Sequence, residues 1–409
     1  MTTKLIYITV TMPFGNAEQF FIPEVMELMR QGKEIMIVPR SPSGDIINSD
    51  AKGLQNLTVS QPLLSLEILW VAVCEFARCP LKSLQAFGIL FRSRSLKILS
   101  KNLAIFPKGL WLSRRAQDWG ATHIHAQWAT TTASMALIAN QVSGISWSFT
   151  AHRWDIRENN LLEVKVQKAS FVRFISESGV QMSREILKGE QLQEKIRVIH
   201  MGVPFASFQA NQFAEYTPPV ILCPAGLLPV KGHTYLLQAI SILKNLGVNC
   251  ILKIAGEGGL REELKKHVKE LNLIGTVQFL GYVPHNELLG FYRDGKVGIV
   301  VLPSVDLGNG NHESIPVSLM EAMAFGIPII STNTGSIPEL VENGKEGILV
   351  PPSDEQALAD AMQTLIENTD LRRILGENGR RKVEKDFNIE MIANELYKLY
   401  FDPQNVKKY

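Results

Sequence analysis

Short apolar runs alternate along the chain with longer stretches in which apolar residues recur every three or four positions. Lys4–Val10 reads as a first strand, followed by a loop holding Pro13, Gly15 and Asn16. A helix is predicted from about Ala17 to Gln31, because Phe20, Phe21, Val25, Leu28 and Met29 fall near helical spacing. Gly32 ends it, and Glu34–Pro39 (EIMIVP) returns as a strand. In this β-loop-α-β unit a glycine-bearing loop opens a helix, whose exposed N–H groups suit an anion. One glycine is a weak form of that signal, and a plain tight turn explains it as well.

Further strands are expected at Thr122–Ala126, Ile145–Ala151, Phe171–Ser176 and Ile196–His200, with a helix over Thr131–Val142. Residues 205–218 are polar and end in Pro218 and Pro219, which marks an interdomain linker. Beyond it the rhythm is clearer. Strands are predicted at 220–225, 250–255, 276–280, 297–302, 327–331 and 347–350. Helices are predicted at 231–246, 260–272, 285–293, 315–325, 336–342 and 354–367, with more to about 384, and a last one at Ile389–Leu399. Short apolar strands between amphipathic helices indicate parallel sheets covered on both faces. The fold class is therefore α/β: two doubly wound, Rossmann-like domains, with ligand expected at the carboxyl ends of strands facing a central cleft. The boundaries are 1–203, 204–385, and a terminal segment 386–409 whose helix is expected to pack back toward the first domain.

Composition changes this picture in one place. The whole chain has 42 basic and 40 acidic residues, 45% hydrophobic and 20% charged residues, which excludes disorder and a generally basic nucleic-acid binder. Residues 61–115 depart from that balance. Arg78, Lys82, Arg92, Arg94, Lys97, Lys101, Lys108, Arg114 and Arg115 stand there against Glu67 and Glu75, among many Leu, Ile, Phe and Trp. The segment carries +7, so the remainder carries about −5. Its longest apolar stretch, Ile68–Cys74, is far short of the roughly 18 residues that cross a bilayer. Basic and apolar residues on helices can lie on an anionic membrane surface; buried helices with a solvated basic face are the other reading. Four scattered cysteines give neither a disulfide framework nor a zinc pattern. The N-terminus lacks the long apolar stretch and small-residue cleavage site of a signal peptide, so a reduced, cytoplasmic protein is expected, held peripherally at the inner membrane face.

The most specific segment is Gly308–Gly326, GNGNHESIPVSLMEAMAFG. Glu313 is expected just before a helix and Glu321 two turns into it, so that they reach different parts of one extended ligand. The N–H groups of Ser314 and Ile315 would lie at the helix's positive end, with Pro316 in its first turn. Carboxylates accept two hydrogen bonds at once and so grip sugar hydroxyls. An unpaired carboxylate beside Met320, Ala322, Met323 and Ala324 would be costly, which favours a ligand role for Glu321.

These residues resemble the glycosyltransferases of family 4, which have the GT-B architecture. The E-x7-E spacing of Glu313 and Glu321 is joined by ILCPAGLLPVKGHTYLLQAI, LKIAGEGGLREEL, VQFLGYVP and SFTAHRWDI, in the family's order. The HAQWATTTASMALIA and SFTAHRWDI stretches are similar to exopolysaccharide and colanic-acid-type transferases. The resemblance implies transfer of a hexose from a nucleotide-diphosphate sugar to a hydroxyl acceptor, with retention and without a metal or other cofactor. No D-x-D suited to Mg2+ stands in the sequence. It implies that Glu313 contacts the donor sugar and Glu321 the ribose. Lys231 would neutralise the diphosphate, which Gly15 and Asn16 approach. Tyr282 and Val283 would border the base, and Ser314 and Ile315 would help bind sugar or phosphate. His152 would stand at the reacting centre. His125, Gln127 and Trp128 are candidates for the acceptor side, with internal packing the other reading. Gly226 stands where many members carry arginine, so Arg153 is a candidate compensating cation. The first loop has Gly-Asn where Gly-Gly is frequent. Asp306 and His312 flank the acidic motif as cappers or ligands, and Phe291 and Tyr292 read as core. The implied partners are the donor and a lipid-linked or saccharide acceptor, not nucleic acid. A GT-B nucleotide-sugar epimerase and a non-catalytic nucleotide-sugar-binding scaffold stay open beside the transferase.

Overall fold

A computed structural model describes residues 3–15, 18–46, 49–205, 219–308 and 310–401. The chain divides into two compact units, Met1–His200 with Glu390–Tyr409, and Met201–Ile389.

The first unit is built on six parallel strands, β1 Lys4–Thr9, β2 Glu34–Pro39, β3 His123–Gln127, β4 Ser146–Ala151, β5 Phe171–Phe174 and β6 Ile196–Val198, in the order β2-β1-β3-β4-β5-β6. The second has β7 Val220–Pro224, β8 Ile251–Ala255, β9 Val277–Gly281, β10 Ile299–Leu302, β11 Ile329–Thr332 and β12 Ile348–Val350, in the order β12-β11-β10-β7-β8-β9, again parallel. The inner strands are buried on both faces, which is why they read as unbroken apolar runs rather than alternating ones. In each sheet the winding direction reverses once, between β1 and β3 and between β7 and β10. Loops leaving adjacent strands on either side of such a point diverge and leave room for a ligand.

The first helix differs from its prediction. It runs Ile22–Arg30 after a 3-10 turn Gln19–Phe21, with Pro23 in its first turn. A start at Ala17 would put Pro23 inside the helix, where its ring meets a carbonyl and a hydrogen bond is lost. Asn16 and Ala17 lie outside the described residues, as does nearly all of the expected linker. Segment 61–115 forms helices Leu66–Arg78 and Pro80–Leu90 and most of Leu96–Trp119. Ser65 and Ser95 set two of the starts, their hydroxyl oxygens accepting the N–H groups of Ile68 and Ile98 at 3.3 Å. Helices Arg153–Glu158, Leu162–Lys168 and Glu177–Ser183 flank β5 where the sequence pattern predicts no helix. Among the described residues no helix is long and apolar enough to cross a membrane.

The last helix, Ile389–Phe401, returns to the first unit. Tyr400 packs against the rings of His123, His125 and Phe171, and the Tyr397 hydroxyl lies 2.8 Å from that of Thr3. The centre of this unit holds a buried polar network. Arg173 Nη1 donates to Glu24 Oε2 at 2.6 Å, Tyr7 donates to Glu24 Oε1 at 2.6 Å, and Gln127 Nε2 donates to the Tyr7 hydroxyl.

Candidate functional site

In the second unit the loops that follow β7, β8, β9, β10 and β11 converge. The β7 loop ends in the 3-10 turn Pro229–Lys231 and then Gly232, at φ +67. A Cβ on Gly232 would lie 1.9 Å from the carbonyl oxygen of Pro303, so only glycine lets this loop meet the one after β10. The Val305 N–H donates to Val230 O at 2.9 Å and locks the two together. Across this contact, at the β7/β10 reversal, Lys231 Nζ lies 2.5 Å from Glu313 Oε2, which also accepts from Ser304 Oγ at 3.3 Å. Both side chains remain partly open to solvent. The β11 loop supports the other side of Glu313: Ser336 N–H donates to its carbonyl at 3.2 Å, and a Cβ on Gly335 would sit 1.9 Å from that same oxygen.

The acidic motif differs from its expected geometry in two details. Pro316 is the N-cap of helix Val317–Ala324 rather than a first-turn residue, and Glu321 stands just over one turn in, not two. Ser314 and Ile315 precede the cap. Glu321 is 95% buried, and its Oε1 lies 2.6 Å from Nε2 of His285, the first residue of helix His285–Arg293. Tyr292 on that helix is fully buried, whereas Phe291 is only partly so. Tyr282 and Val283 follow β9, with Tyr282 about half exposed. Gly226 leaves ordinary room: a Cβ there would lie 3.5 Å from Glu257 O. Asp306 accepts the Gly308 N–H at 2.8 Å, and His312 Nδ1 is 2.9 Å from Glu313 O, so both tie down the motif's own loop.

Residues 206–382 match the family model of the glycosyl transferases group 1. The second unit carries a glycosyl transferases group 1 domain. The chain is also similar to curated proteins. It is 38% identical over 209 residues to WcaL of Escherichia coli (strain K12), named for colanic acid biosynthesis, covering 51% of each chain. It is 35% identical over 205 residues to AmsK of Erwinia amylovora, an amylovoran biosynthesis glycosyltransferase, covering 50% of each. The chain thus spans about half the length of the curated relatives it matches. Likeness of fold extends further. A glycosyltransferase from Rickettsia africae ESF-5 superposes with a TM-score of 0.70 at 17% identity, covering 99% of this chain and 100% of that one. Anabaena Alr3699/HepE, solved in complex with UDP, gives 0.70 at 17% identity, covering 97% and 98%. The fold is that of the GT-B glycosyltransferases: two α/β units, each on a parallel sheet.

The first unit places its sequence candidates unevenly. Gly15 is left-handed, at φ +70, and its N–H donates to Asp45 O at 2.9 Å. Beside it Glu18 gathers the β1 loop, accepting the N–H groups of Val10, Thr11 and Met12 at 2.6–3.0 Å and the indole N–H of Trp128 at 2.7 Å. That last bond joins the loops after β1 and β3 across the reversal point. His125 and Gln127 are fully buried instead. The His125 ring nitrogens meet Ser148 at 2.8 Å and Thr150 at 2.9 Å, and His123 meets Ser148 at 2.7 Å, so these residues serve neighbouring strands. Trp128 is the member of the HIHAQW stretch that reaches a cavity wall.

His152 follows β4 and is 94% buried. Its N–H donates to Asp155 Oδ1 at 2.7 Å, and its ring lies 4.3 Å from that of Trp128 and 5.5 Å from that of Phe21 between centroids. Asp155 also accepts the Ala129 N–H at 2.5 Å, while buried Lys165 donates to the carbonyls of Ala129 and Thr130 at 2.7 Å each. Burial pushes the Asp155 carboxyl up to about 7 against the pull of its backbone donors, and lowers Lys165 to about 7. The pair fixes both His152 and the turn after Trp128. Among the described residues His152 Nε2 has no hydrogen-bond partner, and burial, aided by the charge of Arg173, lowers the ring to about 3. Because burial disfavours the cation, the ring stays neutral and can offer one nitrogen to a ligand hydroxyl. The His152 ring resonances of labelled protein are therefore expected not to titrate between pH 8 and pH 5; a midpoint near 6.5 would contradict this. Arg153 opens the helix after β4.

His285, Ser304, Glu18 and Asp155 have no counterpart among the sequence candidates. Ser304 meets Glu313 within one long loop, and the other three tie separate loops or elements together, so only their places in the fold reveal them. Among the described residues no group of three or more His, Cys, Asp or Glu is placed to hold a metal.

Proposed function

We propose that this chain is a retaining, metal-independent glycosyltransferase that moves a hexose from a nucleotide-diphosphate sugar to a lipid-linked or saccharide acceptor, in assembly of a surface polysaccharide. The observation that carries this reading is the meeting of Lys231 and Glu313 at the β7/β10 reversal, inside a group 1 domain, just before the helix that carries Glu321. The names of WcaL and AmsK support the polysaccharide pathway. The UDP complex of Alr3699/HepE supports a nucleotide donor.

In this mechanism Lys231 meets the donor diphosphate as negative charge grows on it, Glu313 accepts from hydroxyls of the sugar, and Glu321 accepts from the ribose. The bond from the anomeric carbon to the diphosphate oxygen breaks on the face where the acceptor oxygen bonds. The acceptor's proton passes to the departing phosphate. Preset positive charge aimed at the leaving group lowers the barrier without reorganisation. Tyr282 and Val283 border the base, and Ser314 and Ile315 offer N–H groups to sugar or phosphate. The test is product analysis after incubation with nucleotide sugars, with and without lipid-linked acceptors. A glycosylated acceptor with the donor's anomeric configuration is the expected product. Conversion of the donor sugar alone would make the protein an epimerase, and donor binding without conversion would make it a scaffold.

The acceptor's setting is the inner face of a cytoplasmic membrane. Helices Leu66–Arg78 and Pro80–Leu90 expose Leu66 (86%), Trp70 (70%), Val73, Leu81 and Leu84. Arg78, Lys82, Arg92, Arg94 and Lys97 are exposed in the same region. An exposed apolar face this large marks an interaction surface, and the charge suits anionic lipid. Lys108 does not add to that charge: it is fully buried, its ammonium donating to the carbonyls of Pro39, Arg40 and Gln61 at 2.7–2.9 Å. The protein is expected to float with vesicles containing phosphatidylglycerol. Changing Arg92, Arg94 and Lys97 to Glu should weaken vesicle binding by on the order of a hundredfold, at about 1 kcal/mol per basic residue lost. Absence of flotation for the unaltered chain would refute the membrane claim.

A further inference from the structure

The first unit contains a cavity of about 590 Å³ whose lining the proposed donor chemistry does not use. It stands at the carboxyl ends of β1 to β4, roofed by the helical segment before β3. Its walls include Arg40, Trp128, Trp154, Lys101, Glu158 and Leu63. Three features of these walls point to one kind of ligand.

The first is a cation with no carboxylate in contact. Lys101 Nζ is paired with Glu158 at 2.6 Å. Arg40 is half-buried, and the charges of Glu18 and Glu158 act on it only from farther off. Among the described residues its hydrogen bonds go to hydroxyls, Nη1 to Thr131 Oγ1 at 2.6 Å and Nε to Ser41 Oγ at 3.2 Å. Among the described residues no carboxylate lies within 4.0 Å of it. The ammonium of Lys108 is bonded directly to the carbonyls of Pro39 and Arg40, which fixes the residue's backbone. A guanidinium held this way matches the oxygens of a phosphate.

The second is a strained aromatic wall. Trp128 takes φ +75, a left-handed backbone that costs a non-glycine residue on the order of 1–2 kcal/mol. Four groups maintain it: Glu18 on the indole, Thr132 Oγ1 on its carbonyl at 2.8 Å, and the Asp155 and Lys165 clamp on the next two residues. Strain kept up by so many partners marks a functional position. Trp154 is 59% exposed at the same cavity. The third is an apolar way out. Leu63 is in the wall, and next to it in sequence Leu64 and Leu66 are exposed, leading onto the apolar helix faces described above.

We propose that this cavity binds the acceptor through a phosphate or diphosphate ester carried on an apolar chain: Arg40 takes the phosphate oxygens, Trp128 and Trp154 flank the head group, and the chain leaves past Leu63 over Leu64 and Leu66. This deepens the transferase reading and rests on it for the word acceptor, but the binding itself can be measured without a donor.

The probe is geranyl diphosphate, titrated calorimetrically without detergent into full-length protein carrying Lys231→Ala, which removes the diphosphate partner of the second unit. Saturable one-to-one binding is expected, on the order of tenfold tighter than inorganic pyrophosphate, since pyrophosphate lacks the apolar chain. Arg40→Gln should weaken it by on the order of tenfold or more, the equivalent of one charge-assisted hydrogen bond. Trp154→Ala, a change at an exposed side chain, should weaken it as well and covers the case in which the Arg40 variant fails to fold. Arg115→Gln, on an exposed basic residue outside the cavity, should not. No saturable binding, equal binding of pyrophosphate, or binding unaffected by Arg40→Gln and Trp154→Ala would overturn the proposal. UDP-glucose and other nucleotide sugars titrated into the unaltered protein report the donor site separately. Donor binding without geranyl diphosphate binding overturns this inference and leaves the transferase reading standing.

Discussion

Lys231→Ala is expected to lower sugar transfer by about 10²–10³-fold with the second unit still folded. Lys231 meets Glu313 at the strand-order reversal, and both side chains are partly open to solvent. Losing the pair is expected to cost less than the roughly 3–5 kcal/mol of a fully buried one, because both side chains keep a path to solvent. Its loss matters for the ligand. Without the ammonium, the leaving diphosphate loses its preset positive charge, and Glu313 presents an unbalanced negative one. Gly226 cannot substitute, having no side chain. Lys231→Arg should recover only part of the rate, because the planar guanidinium cannot replace a compact ammonium at 2.5 Å from a carboxylate. Initial rates, with far-ultraviolet circular dichroism as the folding control, check this. Transfer by the alanine variant within threefold of the unaltered enzyme would remove Lys231 from the mechanism.

The largest stability effect is expected at Arg173. Its guanidinium and the Glu24 carboxylate are both fully buried, 2.6 Å apart. Arg173 also donates to the carbonyls of Ile199 at 2.8 Å and His200 at 2.6 Å, which ties the chain after β6 to the sheet. Arg173→Met fits the volume but leaves the carboxylate and two carbonyls without their donor, and should cost about 3–5 kcal/mol. Changing Glu24 to Met in the same chain removes the stranded charge and should restore part of the loss, since a buried pair often does no better than apolar residues of similar size. Urea unfolding followed by tryptophan fluorescence reports mainly on the first unit, where all six tryptophans lie. A single-variant loss below about 1 kcal/mol would show that the network is not needed for folding.

How far these features were legible in the chain depended on whether their cause is local. The strands were legible because a parallel strand covered on both faces must be apolar throughout. The first helix was misplaced because apolar spacing was followed past Pro23, whose ring sets the start. Glu313 and Glu321 stand out as carboxylates in a small, apolar setting. Their partners are less legible: Ser304 stands at the far end of Glu313's own loop, and His285 begins a helix after another strand, so no regular spacing relates them. His125 and His152 look alike in the sequence, each expected near the end of a strand. They part company in the fold: His125 finds Ser148 and Thr150 on the adjacent strand, whereas His152 Nε2 finds no partner among the described residues. Lys108 shows the same limit. Counted with its basic neighbours it looked like surface charge, but a lysine can be buried when three carbonyls take its ammonium.

The central claim is that the group 1 domain holds a nucleotide-diphosphate sugar through Glu321 and the Lys231–Glu313 pair. Its most direct measurement is calorimetric titration of a panel of nucleotide sugars into the unaltered protein and into Glu321→Ala. The account predicts saturable binding of at least one donor, and a loss of on the order of tenfold or more in the variant as the ribose loses its charged acceptor. No binding of any nucleotide sugar, or equal affinity for both proteins, would contradict it.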